Sequence, residues 1–286
     1  MTAIALHTPP RWRTVAVEQI VTLRQFLRRT GLLVLVLYGA GLAVCIRGAL
    51  VTRDARDAAL QAPPNAQAMA AAHLQLPNVN FTYSPAASAV IALLAFLLPF
   101  GVWQDEDPRR RSYHWMMPLP RQTHTLTKVF AGWVWLMAAT ALYLLFILAT
   151  VAITERITGE PQLYPPTFAA WEWLVPFTVG TIAYMFSSAA TVGSRQPIAW
   201  IIGVIALYAV AVYLLTVAEY PEAARRVTSI FSGEYGAAAA MLGRIQALDA
   251  VKLQRYSSLT RWLGASVIWG AIGATLLVWT SYRRPE

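Results

Sequence analysis

The sequence contains little charge for its length. Only 13% of its 286 residues are Asp, Glu, Lys or Arg, whereas 57% are hydrophobic. A soluble domain carries about 25% charged residues, so this chain lacks the polar surface that a globule in water requires. The composition therefore favours an integral membrane protein over a soluble enzyme.

The sequence also lacks the residues of several common sites. Its single cysteine, Cys45, excludes an internal disulfide and a cysteine-based metal cluster. Neither GxxxxGK[ST] nor HExxH occurs, so the chain has no phosphate-binding loop of its own and no helical zinc motif. Ser187 and Ser188 have no His or Asp at a comparable depth, and we interpret them as helix-packing residues. We predict no catalytic residue and no cofactor or metal site in this chain.

Six apolar stretches are long enough, or nearly long enough, to cross a membrane, which takes about 20 residues per helix. They are 30–50, 85–103, 129–153, 173–193, 197–218 and 262–282. Aromatic side chains crowd their ends, which is typical of an interfacial belt. These are Trp103, Trp133, Trp135, Trp171, Trp173, Trp200, Trp262, Trp279 and Tyr282. The predicted fold class is all-α, a single transmembrane domain (1–286) of six spans.

The basic residues predict the orientation of the chain. With the N-terminus in the cytoplasm, the inner segments hold 13 Lys and Arg in 62 residues, and the outer loops hold 9 in 95. Positive charge is enriched on the cytoplasmic side of membrane proteins, and an even number of spans puts the C-terminus there as well. The net charge of +9 then faces lipid phosphates rather than nucleic acid. We predict a multi-pass protein of the bacterial inner (plasma) membrane.

The segments outside the spans have distinct patterns. Within the cytoplasmic segment 1–29, residues 14–29 form either an amphipathic helix on the membrane surface or a plain basic flank. Residues 219–261 form a long outer loop before the sixth span. Its small, apolar run 235–248 is too short to cross, and favours a re-entrant or interfacial helix or a solvent-exposed cap. The outer loop 51–85 is also sizeable.

The predicted span cores contain no ionisable residue. Ion-coupled transporters keep such residues inside the membrane, where they carry protons or ions. Coupling to a proton or sodium gradient is therefore difficult to build here. If the protein transports a cargo, the energy comes from another source.

The cytoplasmic loop 104–128 is the richest polar segment. After Gln104 it contains three acidic residues, then three arginines, an aromatic and Met patch and Pro-Leu-Pro-Arg, and it reaches Lys128 at its end. A charged face beside an exposed apolar patch is typical of a docking surface for another protein. A solvated basic flank of the membrane is the simpler alternative.

This loop resembles the coupling segment of ABC-2 type transporter permeases, the transmembrane subunits of ABC exporters. The matching positions are Glu106 after the second span, Leu119-Pro120 with Arg121, and Lys128 at the entry to the third. The layout of the chain is similar throughout, while the likeness in residues is confined to about 104–130. The sequence departs from the family in its run Arg109-Arg110-Arg111, in its His114-Trp115 pair and in its large 51–85 loop.

The resemblance implies a mechanism. Two separate P-loop ATPase subunits would bind ATP and Mg²⁺, and a second copy of this chain or a homologous permease would complete the complex. A helix at 105–118 would dock on the ATPase, and prolines would end it before the third span. The implied coupling residues are Asp105, Glu106, Asp107, Arg109, Arg110, Tyr113, Trp115, Met116, Pro118, Pro120 and Arg121. The implied cargo is amphiphilic or hydrophobic, and the implied direction is export.

Two other classes remain open on sequence grounds. A non-transporting anchor or regulatory subunit of a larger complex would have the same spans without ATP-linked turnover. An intramembrane enzyme would need a cluster of polar residues at one depth, and we find none in the sequence.

Overall fold

A computed structural model describes residues 12–61, 89–104, 121–159, 170–194, 196–232, 235–237, 240, 244–245, 255–256 and 259–282. These residues form seven α-helices: α1 (Trp12–Gln61), α2 (Ala89–Gln104), α3 (Arg121–Thr158), α4 (Val175–Gly193), α5 (Pro197–Val217), α6 (Pro221–Ser232) and α7 (Leu259–Tyr282). A 3-10 helix, Ala170–Leu174, leads into α4. Two strands of two residues, β1 (Arg244–Ile245) and β2 (Arg255–Tyr256), pair antiparallel. The prediction of an all-helical protein is confirmed.

Within the described ranges, four helical segments are long and apolar enough to cross a membrane. They are Gln122–Thr158, Val175–Gly193, Pro197–Val217 and Leu259–Tyr282. The apolar segment of α2, Val90–Trp103, is shorter. Several long apolar helices are what a multi-pass membrane protein requires.

The first helix differs from the prediction. A surface helix at 14–29 and a separate span at 30–50 were expected, whereas α1 runs without a break from Trp12 to Gln61, a length of about 75 Å. No proline occurs between these ends, and a helix without one has no residue that must break it. The described part of this helix extends to Gln61.

The third helix also extends beyond its predicted span. Residues 121–128 are predicted to belong to the cytoplasmic loop, whereas they form the first two turns of α3 and the start of the third. Proline is accepted at or just before a helix start because the first backbone N–H groups have no helical partner, so the helix begins directly after Pro120. The residues after Pro120 are largely polar, and polar residues can form a helix without apolar surroundings.

Consecutive long helices run in opposite directions. Near its start α1 meets α3 through a hydrogen bond from Trp135 Nε1 to Ile20 O, and near its end through one from Arg56 Nη1 to Thr158 O, both 3.1 Å. The helices α1 and α3 are therefore parallel. Successive contacts of α2 with α4, and of α7 with α4, proceed in the same direction along the two helices of each pair. The helices α2 and α7 are therefore parallel to α4. The starts of α1, α3 and α5 and the ends of α2, α4 and α7 thus share one side, which we call the loop side.

The core lies where α2, α3, α4 and α7 meet. Its buried side chains include Ala95, Leu98, Leu136, Tyr184 and Leu277. Glycines permit the closest approaches: a Cβ on Gly180 would lie 3.1 Å from Ile91 Cγ2, and one on Gly193 would lie 2.7 Å from Thr280 Cγ2. Small residues at helix crossings are typical of membrane helices, because association there depends on close packing.

The segment before α7 contains structure where a loop was expected. The twelve-residue helix α6 packs its Phe231 ring between Tyr208 of α5, at 4.5 Å between ring centroids, and Trp269 of α7, at 6.2 Å. Further along, Ala240 is buried against Ile182 and Ala265. The described parts of this segment therefore begin at the end opposite the loop side and fold back against α4, α5 and α7 to about the middle of these helices.

Candidate functional site

The predicted coupling residues lie almost entirely outside the described residues. This applies to Asp105, Glu106, Asp107, Arg109, Arg110, Tyr113, Trp115, Met116, Pro118 and Pro120. The backbone of Arg121 is described as the first residue of α3. The structure does describe both ends of this segment, where α2 ends at Gln104 and α3 begins.

Lys128 and Trp103 connect these two ends. The Lys128 ammonium lies 4.6 Å from the centroid of the Trp103 ring, and only 7% of Lys128 and 6% of Trp103 is exposed. An ammonium over an indole is attracted by the negative face of the ring, more strongly where water is excluded. The end of α2 is thereby held against the third turn of α3.

The same turns of α3 are bonded to two further helices. Tyr184 of α4 donates a 2.9 Å hydrogen bond from its hydroxyl to the carbonyl oxygen of Val129. Trp135 donates to Ile20 of α1, as described above. We call the set Trp103, Lys128, Val129, Trp135, Tyr184 and Ile20 the junction. It joins the flanks of the 105–120 segment to α1 and α4 on the loop side.

Trp103 and Trp262 correct the interpretation of the aromatic residues. Both were assigned to an interfacial belt, but Trp262 is only 1% exposed and its ring lies 5.1 Å from that of Trp171. Their positions at helix ends are typical of a belt, and only the packing of neighbouring helices shows that these rings face inward. Trp200 and Trp279, exposed by 60% and 49%, do face outward as a belt residue would.

A crevice on the loop side forms the second candidate site. It has a volume of about 340 Å³ and is lined almost wholly by apolar side chains of α2, α4, α5 and α7. Among its lining residues are Phe96, Phe186, Ile205 and Leu276. Its residues come from three separate parts of the chain (α2, the α4–α5 pair and α7), so no local sequence pattern predicts it.

The crevice exists because α5 stands apart from the other helices. All side chains of α5 are described, and none is buried. The helix is attached by its short connection to α4 and by the contact of Tyr208 with Phe231. The helices α4 and α7 pack closely against each other, as at Gly193 and Thr280. Between its two attachments, α5 leaves a gap beside α4 and α7.

The polar side chains of the crevice are engaged in backbone hydrogen bonds. Ser187 Oγ donates to Phe96 O over 2.6 Å, one turn before Pro99 interrupts the hydrogen bonds of α2. Thr280 Oγ1 donates to Leu277 O over 3.0 Å. Ser187 therefore packs helices together, in agreement with its interpretation from the sequence.

Across the described part of the chain, no three His, Cys, Asp or Glu side chains come close enough to hold a metal ion. Searches of protein-family models, of curated proteins and of solved structures found no match to this chain. The junction and the crevice are therefore interpreted from their own chemistry.

Proposed function

We propose that this chain is the membrane-spanning permease subunit of an ATP-driven ABC exporter in the bacterial inner membrane. It crosses the membrane six times, with both ends in the cytoplasm. The loop side faces the cytoplasm. The chain pairs with a second copy or a homologous permease, and two P-loop ATPase subunits hold the ATP and Mg²⁺. The cargo is amphiphilic or hydrophobic.

The alternating helix directions support the six-span topology. The described helices α1, α2, α3, α4, α5 and α7 contain the six predicted spans or most of each. Because α1 begins and α7 ends on the loop side, the arrangement agrees with an even number of crossings. The denser basic residues of the same side favour the cytoplasm for it.

The junction is the observation that carries the proposal. A subunit that responds to an external ATPase must convert a push on a short segment into movement of several helices. The cation–π contact of Lys128 with Trp103 makes the two flanks of the 105–120 segment move together. Hydrogen bonds from Tyr184 and Trp135 connect that unit to α4 and α1. Displacement of the segment is thus passed to four helices.

The 105–120 segment is proposed to dock on the ATPase. Asp105, Glu106 and Asp107 would meet basic residues of the ATPase groove, and Arg109 and Arg110 would meet acidic ones. Tyr113, Trp115 and Met116 would supply apolar anchors, because aromatic and Met side chains are enriched at the centres of interfaces. Pro118 and Pro120 end the docking segment before α3.

Co-purification tests the proposal. The tagged chain is expressed with its neighbouring genes, and the complex is analysed for a stoichiometric P-loop ATPase. Glu106→Arg is expected to release the ATPase, whereas the matched substitution Glu222→Arg, on the exposed first turn of α6 at the opposite side, is expected to leave it bound. A folded chain without an ATPase would favour the non-transporting anchor or regulatory subunit. Release by both variants would remove the docking role from the 105–120 segment.

A further inference from the structure

The chain after α5 turns back into the depth of the helical bundle. At the end of α6, the Phe231 ring contacts Tyr208, nine residues before the last residue of α5, and Trp269, ten residues after the first residue of α7. At about 1.5 Å per residue, these contacts lie roughly 14–15 Å inside the ends of α5 and α7. We call the side at which α5 ends and α7 begins the outer side. The helix α6 therefore descends from the outer side to about the middle of the bundle.

Beyond α6 the chain stays within the bundle and then returns towards the outer side. Trp269 Nε1 donates a 3.1 Å hydrogen bond to the carbonyl oxygen of Tyr235, and the Tyr235 ring lies against Gly264. Ala240 is buried against Ala265, which is four residues nearer the start of α7 than Trp269. The described residues of this stretch thus enter from the outer side, reach about half the depth of α5 and α7, and turn back, which is the form of a re-entrant segment.

One face of α6 is polar over most of its length. Four exposed side chains are spaced three or four residues apart and therefore share this face. We call them the polar stripe: Glu222, Arg225, Arg226 and Ser229. Phe231, which contacts α5 and α7, lies on the opposite face of the helix. Because α6 descends into the bundle, the stripe runs from the outer end of α5 to Ser229, at a depth of roughly 11 Å.

Lipid tails are unfavourable neighbours for this surface. Ionisable side chains at membrane depth face the interior of a helix bundle or a water-filled cavity. Non-helical backbone occurs at that depth only where it is buried in protein or lines such a cavity. The polar stripe is exposed rather than packed inside the bundle, and Tyr235, in the turn after α6, is 54% exposed. Water is the neighbour that suits both the stripe and the turn.

From these observations we infer that the polar stripe lines a water-filled vestibule, which opens on the outer side and reaches roughly 11 Å into the membrane. The vestibule hydrates the polar part of an amphiphilic cargo in the outer half of the membrane, a role that rests on the proposed function. The vestibule itself rests only on the proposed membrane placement and does not require the ATPase. Loss of ATPase binding in the Glu106→Arg variant would therefore leave it intact.

Cysteine labelling of the full chain in membrane vesicles of known orientation tests the vestibule. In a Cys45→Ala background, Ser229→Cys is treated with an impermeant maleimide. Val210→Cys is the matched control, because Val210 is exposed at a similar depth on the face of α5 opposite Tyr208, away from α6. Ser229→Cys is expected to react from the outer side roughly 100-fold faster than Val210→Cys, since the reactive thiolate forms in water and not in hydrocarbon. Equal rates at the two positions, fast or slow, would overturn the inference.

A second pair of variants tests the same surface without a labelling reagent. Ser229→Asp adds a charge that water in the vestibule can hydrate, so the amount of folded chain in the membrane is expected to equal that of the wild type. Val210→Asp places the same charge against lipid tails and is expected to lose most of that amount, because a carboxylate at the depth of a span opposes insertion. Equal effects of the two substitutions would contradict a water-filled space beside α6.

Tyr220→Cys separates failure of the vestibule from failure of the membrane placement, because Tyr220 is 64% exposed just beyond the outer end of α5. If Tyr220→Cys reacts from the outer side and Ser229→Cys from neither side, the placement stands and the vestibule is refuted. Reaction of Tyr220→Cys from the cytoplasmic side would refute both. A Ser229→Cys variant that labels slowly and forms a disulfide-linked dimer would assign the polar stripe to a second copy, and would likewise overturn the vestibule.

Discussion

Gly132 of α3 lies directly against the hydroxyl group of Tyr184 in α4, so a Cβ carbon at Gly132 would overlap that oxygen. The same hydroxyl donates its hydrogen bond to Val129 O, one turn earlier in α3. Gly132 therefore allows the tyrosine to reach the backbone of α3 from across the helix interface. This contact fixes the spacing of α3 and α4 at the junction.

Gly132→Ala is expected to lower the free energy of unfolding by about 1–3 kcal/mol, because the added methyl group overpacks the interface. The measurement is thermal unfolding in detergent, followed by intrinsic tryptophan fluorescence. Gly203→Ala is the control: among the described residues no atom lies within 4 Å of a Cβ built there. Alanine is the better helix former, so Gly203→Ala should preserve or raise the Tm.

The overlap between a side chain at position 132 and the Tyr184 hydroxyl can also be relieved by changing Tyr184. Tyr184→Phe removes the hydroxyl, so the double variant Gly132→Ala with Tyr184→Phe is expected to be more stable than the sum of the single effects predicts. Additive losses would show that the hydroxyl is not the group that excludes a side chain from position 132.

The hydrogen bond from Trp135 to Ile20 is expected to hold the first part of α1 against α3. Trp135→Phe removes this bond, which contributes about 1 kcal/mol, and should increase hydrogen exchange of the 12–28 peptides about fivefold. The control is Trp133→Phe, because Trp133 donates to Thr181 of α4 instead. Equal exchange in both variants would contradict a tie between Trp135 and α1.

Lys128 and Trp103 are expected to be energetically coupled. A double-mutant cycle of Lys128→Met and Trp103→Leu should give an interaction energy of about 0.5–2 kcal/mol in unfolding measurements, because the cation–π contact is buried. Lys128→Met combined with Trp262→Leu, at the other end of the bundle, is expected to be additive within about 0.5 kcal/mol. An additive result for the first pair would refute the contact.

The helix directions predict which residues share a side of the membrane. In a Cys45→Ala background, single cysteines at Arg24 and Gln196 are expected to react with an impermeant maleimide only from the cytoplasmic side. A cysteine at Tyr220, an exposed residue just beyond the end of α5, is expected to react only from the opposite side, since the 21 residues of α5 span about 31 Å. Labelling of Gln196 and Tyr220 from the same side would contradict the six-span topology.

Local sequence patterns were enough to locate an apolar stretch within each long helix, although not the full extent of α1 and α3. The predicted fifth span, 197–218, and α5, Pro197–Val217, differ by one residue, because Pro197 marks the start of the helix and uninterrupted apolar residues define its length. The amphipathic α6 also has a signal that sequence analysis overlooked. Pro221 and Glu222 begin it, and Val227, Ile230 and Phe231 have helical spacing.

The candidate sites could not be predicted in the same way. Lys128 was noted as part of a family motif, but its position over Trp103 depends on how α2 and α3 cross. Trp103 and Trp262 have the sequence context of belt residues, and their burial depends on which neighbours cover them.

The sequence by itself determined that the chain is helical and apolar, where its long helices lie, and which flanks are basic. These properties follow from side-chain composition and from the short-range rules of helix formation, and each is set within about twenty residues. Only the tertiary structure decided that α3 connects the ends of the 105–120 segment to α1 and α4, and that α5 stands apart and leaves an apolar crevice. Both depend on side chains from distant segments that meet only when the helices pack, and in apolar helices composition does not specify which face meets which neighbour.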